Sequence, residues 1–437
     1  METGGQRSNY EQKRRSAHDA IASIPHGARI VVSMAAGEPT ALLEALAERI
    51  RSGGLQSTRA TSLIPMAGMA RTILAPEIRG ALRWESMFAS AVDRPLIQAG
   101  EATFTPAYFH QIPRLIREFM DVDVALVSVS PPDHNGYMSL GVSVDIAPAA
   151  IESARYVVAQ VNTHMPRVHG SGWVHLNDVD VVVEADTPLP ELLSPAPREE
   201  DSIIGSTIAD MIPDGACVQL GIGGMPNAVA ANLAGHRHLG IHTEMFVESM
   251  VDLIVSGVAD GSRKTFHPGR AVFTFAAGTR RMYDFLDDNL AVEAHPVSYV
   301  NFPPNIARND GLVSVNSTLE VDLTGQCCSE SLGTAQFSGT GGQMDYARGA
   351  FDSRGGRSIL AFYSTARGGA VSRVVSRLTP GAVVTTPRTE VHWLVSEYGT
   401  ACLKGASVSE RARAIIGLAH PRFRDELTAA GRQLGYL

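Results

Sequence analysis

The sequence predicts an α/β protein made of two similar open-sheet α/β domains. Three observations predict it: a strand–glycine turn–helix unit that opens each half, strands of nearly continuous apolar residues, and one proline-rich acidic segment between the halves. The first unit runs Ile24-Pro25-x-Gly27-Ala28-x-Ile30 into a β run, then Ala36-Gly37-x-Pro39 and the helical pattern ALLEALAERI. The second runs Ile212-Pro213-x-Gly215-Ala216-x-Val218, then Gly223-Gly224-x-Pro226 and AVAANLAG. Proline is well placed in a first helical turn, where its missing N–H loses no hydrogen bond. Thr187 to Asp201 (TPLPELLSPAPREED) reads either as a linker or as a long surface loop of one domain. The likeness of its two flanks favours a linker at 191–201, joining domains at 1–190 and 202–437.

Further strands follow from β-branched composition and Gly, Pro or Asp boundaries: 122–130, 155–162, 179–185, 271–278, 357–365 and 382–388. Their continuous apolarity fits strands covered on both faces, as in parallel sheets. Helical patterns alternate with them at YFHQIPRLIREF, at MVDLIVSG and across the C-terminal SERARAIIGLAHPRFRDELTAAGRQLG. Ligands of such sheets sit beyond the carboxyl ends of strands, on turns that lead into helices.

The 437 residues, 44% hydrophobic and 19% charged, have core enough for two or three domains and exclude a disordered, collagen-like or coiled-coil chain. No apolar run approaches the roughly 20 residues of a membrane helix, and METGGQRSNYEQKRRSAHDA lacks a signal-peptide core. Four cysteines (Cys217, Cys327, Cys328, Cys402) form no CxxC pair or disulfide framework, so a cytoplasmic protein without membrane partners is expected. A net charge of −8 argues against a nucleic-acid partner. Lys13, Lys264 and Lys404 are the lysines among 37 basic residues; the arginine excess reflects genome composition or, at single sites, bidentate anion binding.

The densest glycine turn is Gly221-Ile222-Gly223-Gly224-Met225-Pro226, between a strand and a helix. It departs from GxGxxG at Pro226 and lacks a Walker Gly-Lys-Ser/Thr, so it is either another kind of anion or carbonyl cradle or a structural tight turn. Some twenty residues on, Glu244 in His242-Thr243-Glu244-Met245 is a carboxylate at a strand end. Its local context fits a nucleophile or base, a solvated group or a helix cap, and Glu248 is its rival. A third cluster, Ser338-Gly339-Thr340-Gly341-Gly342-Gln343-Met344-Asp345-Tyr346, exposes backbone N–H groups. Asn316 lies on the strand upstream of it, and Arg367 sits on a glycine turn downstream. Competing signals are weaker. His236-x-His238-xxx-His242 has metal-like spacing but lies in a polar loop, Ser171 has His164, His169 and His175 for neighbours, and GxSxG is absent. No resident metal is expected. Met34, Met66, Met69, Trp84, Tyr108 and Phe109 offer an apolar wall for a ligand, or ordinary core.

These stretches together resemble the acetyl-CoA hydrolase/transferase family, and within it the hydroxybutyrate CoA-transferases. The similarity runs through AAGEPTALLEAL, VSPPDHNGYMSLGVSVD, NTHMPRVHGS, GIGGMPNAV, GIHTEM, NDGLVSVNSTLEVDLTGQ, SGTGGQMDYARGA and STARGGAVSRVV, covering most of residues 30–400. The resemblance implies a class I CoA-transferase with its active site in a cleft between two similar domains. It implies Glu244 as the catalytic glutamate, a CoA-binding turn at Gly221, Ile222, Gly223, Gly224 and Met225, and an oxyanion loop at Gly339, Gly341 and Gly342. Asn316 falls in a matching stretch. Arg367 stands where the family usually has lysine, and Tyr346 where it often has Phe. Coenzyme A is then substrate and product, with no tightly bound cofactor. The partners are a short-chain acyl-CoA and a short-chain carboxylate, and the assembly a homodimer or other homo-oligomer. Acyl-CoA hydrolysis on the same site is the alternative, and a non-catalytic CoA-binding protein a more distant one.

Overall fold

The computed structural model describes residues 3–193, 196–221 and 223–437. The chain divides into two compact units, Met1–Leu193 with Val272–Val300, and Ser194–Ala271 with Asn301–Leu437.

In the first unit, the described residues form a seven-stranded, wholly parallel sheet. Its order is Thr103–Phe104, Leu82–Ser86, Thr58–Ser62, Arg29–Val32, Val124–Val129, Tyr156–Val161 and Val181–Glu184. Every residue of Val124–Val129 is buried, as continuous apolarity predicts for a strand covered on both faces. The helix Thr40–Arg51 lays Leu42, Leu43, Ala45, Leu46, Ala47 and Ile50 into this core, and Arg49 and Arg51 in its last turn suit the negative end of the helix dipole. Trp84 and Met69 belong to the same core, where the indole N–H donates to Asp93 at 3.0 Å. Met34 and Phe109 are also buried, with Met66 and Tyr108 partly so.

The second unit contains a six-stranded sheet in the order Gly240–Ile241, Cys217–Leu220, Leu312–Ser317, Arg357–Ala361, Trp393–Ser396 and Gly399–Cys402, among the described residues. All pairs are parallel except the last, a hairpin. The duplicated opening has one local cause in both units. Gly27 (φ +77°) and Gly215 (φ +81°) take the left-handed turn that launches each first strand, a conformation strained for residues with a Cβ.

Four sequence expectations change. The linker assigned to 191–201 is shorter, because Glu199–Ala209 is a helix whose acidic first turn, Glu199, Glu200 and Asp201, suits the positive end of its dipole. Residues 271–278 form two short strands, Ala271–Phe273 and Phe275–Ala276, and from Val272 the chain rejoins the first unit. The Ala276 amide donates to Val142 at 2.9 Å and that of Ala294 to His169 at 2.8 Å, partners more than a hundred residues away that no local pattern reveals. Residues 382–388 hold a single bridge, Thr386 to Cys327, instead of a strand. The C-terminal pattern folds as two helices, Val408–Leu418 and Arg424–Gln433, parted near Pro421. No helix among the described residues is long and apolar enough to cross a membrane.

Glu38 in the first unit is buried and accepts the backbone N–H groups of Met66 and Met69. Burial lifts its carboxyl to about 7 against these donors, and burial lifts Asp145 to about 6. Both folded values lie above the ordinary carboxylate range, so the unfolded chain gives up these protons first. The expected outcome is stability that falls as pH rises from about 4.5 to about 7.5, with Glu38 contributing up to about 3 kcal/mol. Urea titrations across that range, on wild type and Glu38→Gln, check it: the variant should show a shallower decline.

Candidate active site

The centre of the second unit is the bend after Gly240–Ile241. Its sheet edge ends there, and the chain passes through His242, Thr243 and Glu244 before Met245–Phe246. The Thr243 hydroxyl donates to the Met245 carbonyl at 3.1 Å and tightens the bend. Behind it, buried Lys264 donates to the carbonyls of Ile241 (2.8 Å) and Arg270 (2.6 Å). Its stem crosses so close to Gly240 that a Cβ there would overlap it, which requires glycine in this strand.

The Glu244 carboxyl is enclosed although the residue keeps some surface. Its Oε2 accepts a hydrogen bond from Asn301 Nδ2 at 2.6 Å, and the carboxyl also accepts the Gly342 backbone N–H. Gly342 is the N-cap of the helix Gln343–Asp352, so the carboxyl lies at the positive end of that helix dipole. A Cβ at Gly342 would overlap both Glu244 Oε2 and Asn301 Nδ2. Burial raises the Glu244 pKa to about 7; the Asn301 hydrogen bond opposes the rise, the charge of Asp345 adds to it and the Gly342 N–H opposes it.

The predicted residues divide by placement. Gly342 touches Glu244 directly. Gly341 (φ +53°) and Gly339 shape the buried loop just before it. Gly223 (φ +119°, ψ −177°) caps the helix Gly224–Asn232 in a conformation reserved for glycine, and Met225 is buried in the first turn. The Gly221 amide is already used by the Val315 carbonyl at 3.0 Å, so this glycine holds the turn beside the central strand. Ile222 lies outside the described residues. Asn316, on that strand, exchanges amide hydrogen bonds with Gln219 (3.1 and 3.4 Å). Arg367 occupies the exposed end of a short hairpin at φ +52°, followed by Gly368 (φ +63°) and Gly369 (φ +85°). The rival carboxylate, Glu248, opens the helix Glu248–Val255.

The weaker constellations dissolve. His236 Nε2 lies 2.9 Å from the Ile212 carbonyl, His238 pairs with Asp260 at 2.8 Å and His242 is in the core, so the three histidines do not converge. Ser171 meets His295 (2.7 Å) instead of His164, His169 or His175.

Sequence reasoning missed two supports. Asn301 contacts Glu244 from 57 positions away. Asp201 is buried, accepts the Tyr363 hydroxyl at 2.6 Å and the Arg198 amide at 2.8 Å, and comes within 2.7 Å of where a Cβ on Gly224 would stand. An acidic run before a helix was the available signal for Asp201. Asn301 carried none.

Comparison with known proteins places the chain in a family. The family model "Acetyl-CoA hydrolase/transferase N-terminal domain" matches residues 1–191, and "Acetyl-CoA hydrolase/transferase C-terminal domain" matches residues 278–431. Succinyl-CoA:cyclohexane-1-carboxylate CoA transferase of Geobacter metallireducens is 43% identical over 426 residues, covering 97% of this chain and 96% of that protein. The 4-hydroxybutyrate coenzyme A transferase of Clostridium kluyveri is 43% identical over 421 residues, covering 96% and 97%. The crystal structure of RipA from Yersinia pestis superposes with a TM-score of 0.94 at 43% identity, over 99% of this chain and all of that one. The chain belongs to the acetyl-CoA hydrolase/transferase family of enzymes.

Proposed function

We propose that this protein moves CoA between a short-chain acyl-CoA and an acceptor carboxylate, with Glu244 as the nucleophile. The observation that carries the reading is the enclosed Glu244 carboxyl, fixed by Asn301 and the Gly342 N–H at the mouth of a helix. The names of the relatives, which are CoA transferases acting on acyl-CoA and carboxylate pairs, support the same class.

The steps follow from the chemistry of a desolvated carboxylate. Ionised Glu244 attacks the acyl carbonyl, the C–S bond breaks, and a mixed acyl-glutamyl anhydride and CoA thiolate result. The thiolate attacks the glutamyl carbonyl, which releases the first acid and leaves a glutamyl-CoA thioester. An acceptor carboxylate then runs the two steps in reverse and leaves as the new acyl-CoA. This is covalent ping-pong catalysis. Each tetrahedral oxyanion needs N–H donors fixed in advance, each worth roughly 3–4 kcal/mol, and the glycine-rich loop around Gly339 and Gly341 has backbone free of side-chain obstruction. The non-reacting arm of CoA supplies binding energy that can be used at the reacting carbon. Hydrolysis is the same route with water as acceptor; the enclosure of the carboxyl favours transfer over it.

Burial raises the basicity of Glu244, and with it the reactivity of the ionised form. Activity should therefore rise as pH increases through about 7, because the protonated carboxyl cannot attack. Initial rates between pH 5.5 and 9 check this. Asn301→Ala removes a hydrogen bond to the charged form and should move that acid limb upward by about one to two pH units. Gly342→Ala should displace the carboxyl and lower kcat by about 100-fold while the protein stays folded, as circular dichroism would show. Glu244→Ala should lose at least about 1,000-fold in kcat. Incubation with acyl-CoA and then borohydride, followed by mass spectrometry, should mark Glu244 and no other residue. Full transferase activity in Glu244→Ala would sink the assignment, and CoA release independent of any added acid would replace transfer by hydrolysis.

A further inference from the structure

The helix that begins at Gly342 carries a second polar group that the mechanism above does not use. Tyr346 is 1% exposed, and its hydroxyl has no hydrogen-bond partner among the described residues. A buried hydroxyl left unpaired is destabilising, so it calls for a partner in some state of the protein.

Where that hydroxyl lies follows from helix geometry. The Tyr346 amide donates to the Gly342 carbonyl at 2.9 Å, which places Tyr346 one turn beyond Gly342 on the same helix face. Long side chains on a helix lean back over the preceding turn. The turn that Tyr346 covers is therefore the one whose first N–H is held by the Glu244 carboxyl. Two observations agree. The Tyr346 ring centroid is 6.4 Å from that of His242, two residues before Glu244. Among the carboxylates acting on the phenol, the charge of Glu244 is the strongest, ahead of Asp345. Ile306, Leu312 and Ala350 close the apolar side of the pocket together with Cys217.

We propose that the Tyr346 hydroxyl is a positioning donor for Glu244: it hydrogen-bonds the ionised carboxyl, directly or through one buried water, and so holds the nucleophile charged and oriented. This rests on Glu244 being the nucleophile. The groups facing the pair are His242 on the glutamate's own bend, Asp345 next to Tyr346, and Cys217 on the neighbouring strand with Lys264 behind it. Burial pushes the Cys217 thiol up to about 11 and the Tyr346 phenol well above 10, so both stay protonated through the working range and Tyr346 remains a donor.

The test is Tyr346→Phe, which keeps ring and volume, alone and combined with Glu244→Gln. Thermal unfolding is followed at pH 5.5 and 8.5, and initial rates are followed between pH 5.5 and 9. If Tyr346 serves Glu244, the variant has a lower Tm than wild type at pH 8.5, and the deficit shrinks both at pH 5.5 and in the Glu244→Gln background, where the acceptor is neutral. The acid limb of the rate profile then moves up by about one pH unit, the equivalent of one charge-assisted hydrogen bond. A Tm change of the same size and sign at both pH values, or one undiminished in the Glu244→Gln background, overturns the proposal. So does an unmoved acid limb in an active variant. The unfolding cycle needs no turnover, so it decides the Tyr346–Glu244 coupling even where the transferase reading fails for lack of activity with any substrate pair.

Discussion

One arrangement organises the second unit: a carboxyl kept out of water beside donors that favour its ionised form. Desolvation alone would leave Glu244 neutral. The surrounding structure limits that penalty without abolishing it. Asn301 supplies a neutral donor, Gly342 supplies a backbone N–H, and the helix behind Gly342 turns its positive end toward the carboxyl. The result is a pKa of about 7, between a solvated glutamate and one buried without help. No cation neutralises the group at contact distance in the described structure; the stabilisation comes from dipoles. Such a group can change charge during a reaction without leaving a buried counterion stranded.

Several features that look decorative follow from that arrangement. Gly342 is glycine because any Cβ would occupy the space of the carboxyl and of the Asn301 amide. Gly240 is glycine because the stem of Lys264 lies against it, and Lys264 in turn holds the carbonyl that precedes the Glu244 bend. Asp201 presses on Gly224 at the start of the next helix and is fixed by Tyr363 and Arg198. In each case a buried polar side chain replaces a solvent hydrogen bond and rigidifies a loop, at the cost of forbidding a side chain opposite. Gly342, Gly240 and Gly224 are therefore imprints of polar groups elsewhere in the sequence.

Legibility in the sequence followed the range of the cause. Continuous apolar runs identified Val124–Val129 and Arg357–Ala361, because burial on both faces of a parallel strand is written in consecutive residues. The paired glycines Gly27 and Gly215 were legible because a left-handed turn is a single-residue requirement. The linker boundary was misplaced because an acidic, proline-bounded run has the same composition as a loop and as a helix N-terminus; only the fold of 199–209 separates them. The run 382–388 has strand composition but bridges Cys327 at a single residue, Thr386. The excursion of Val272–Val300 into the first unit depends on pairings with residues near 142 and 169, and no periodicity encodes a partner at that distance.

By itself the sequence determined the fold class, the doubling of a strand–turn–helix unit, and the family, because each rests on local pattern or on many motifs kept in order. It also marked Glu244 and the glycine loops as places where chemistry can occur. Only the tertiary structure decided which groups act on that carboxyl. Asn301 and Gly342 come from separate stretches of chain, and their effect depends on distances of a few ångströms in a medium without water. Electrostatic and hydrogen-bond energies change steeply over such distances. Residue order sets which groups are present; the folded geometry sets which of them meet, and so which glutamate is held poised between charged and neutral.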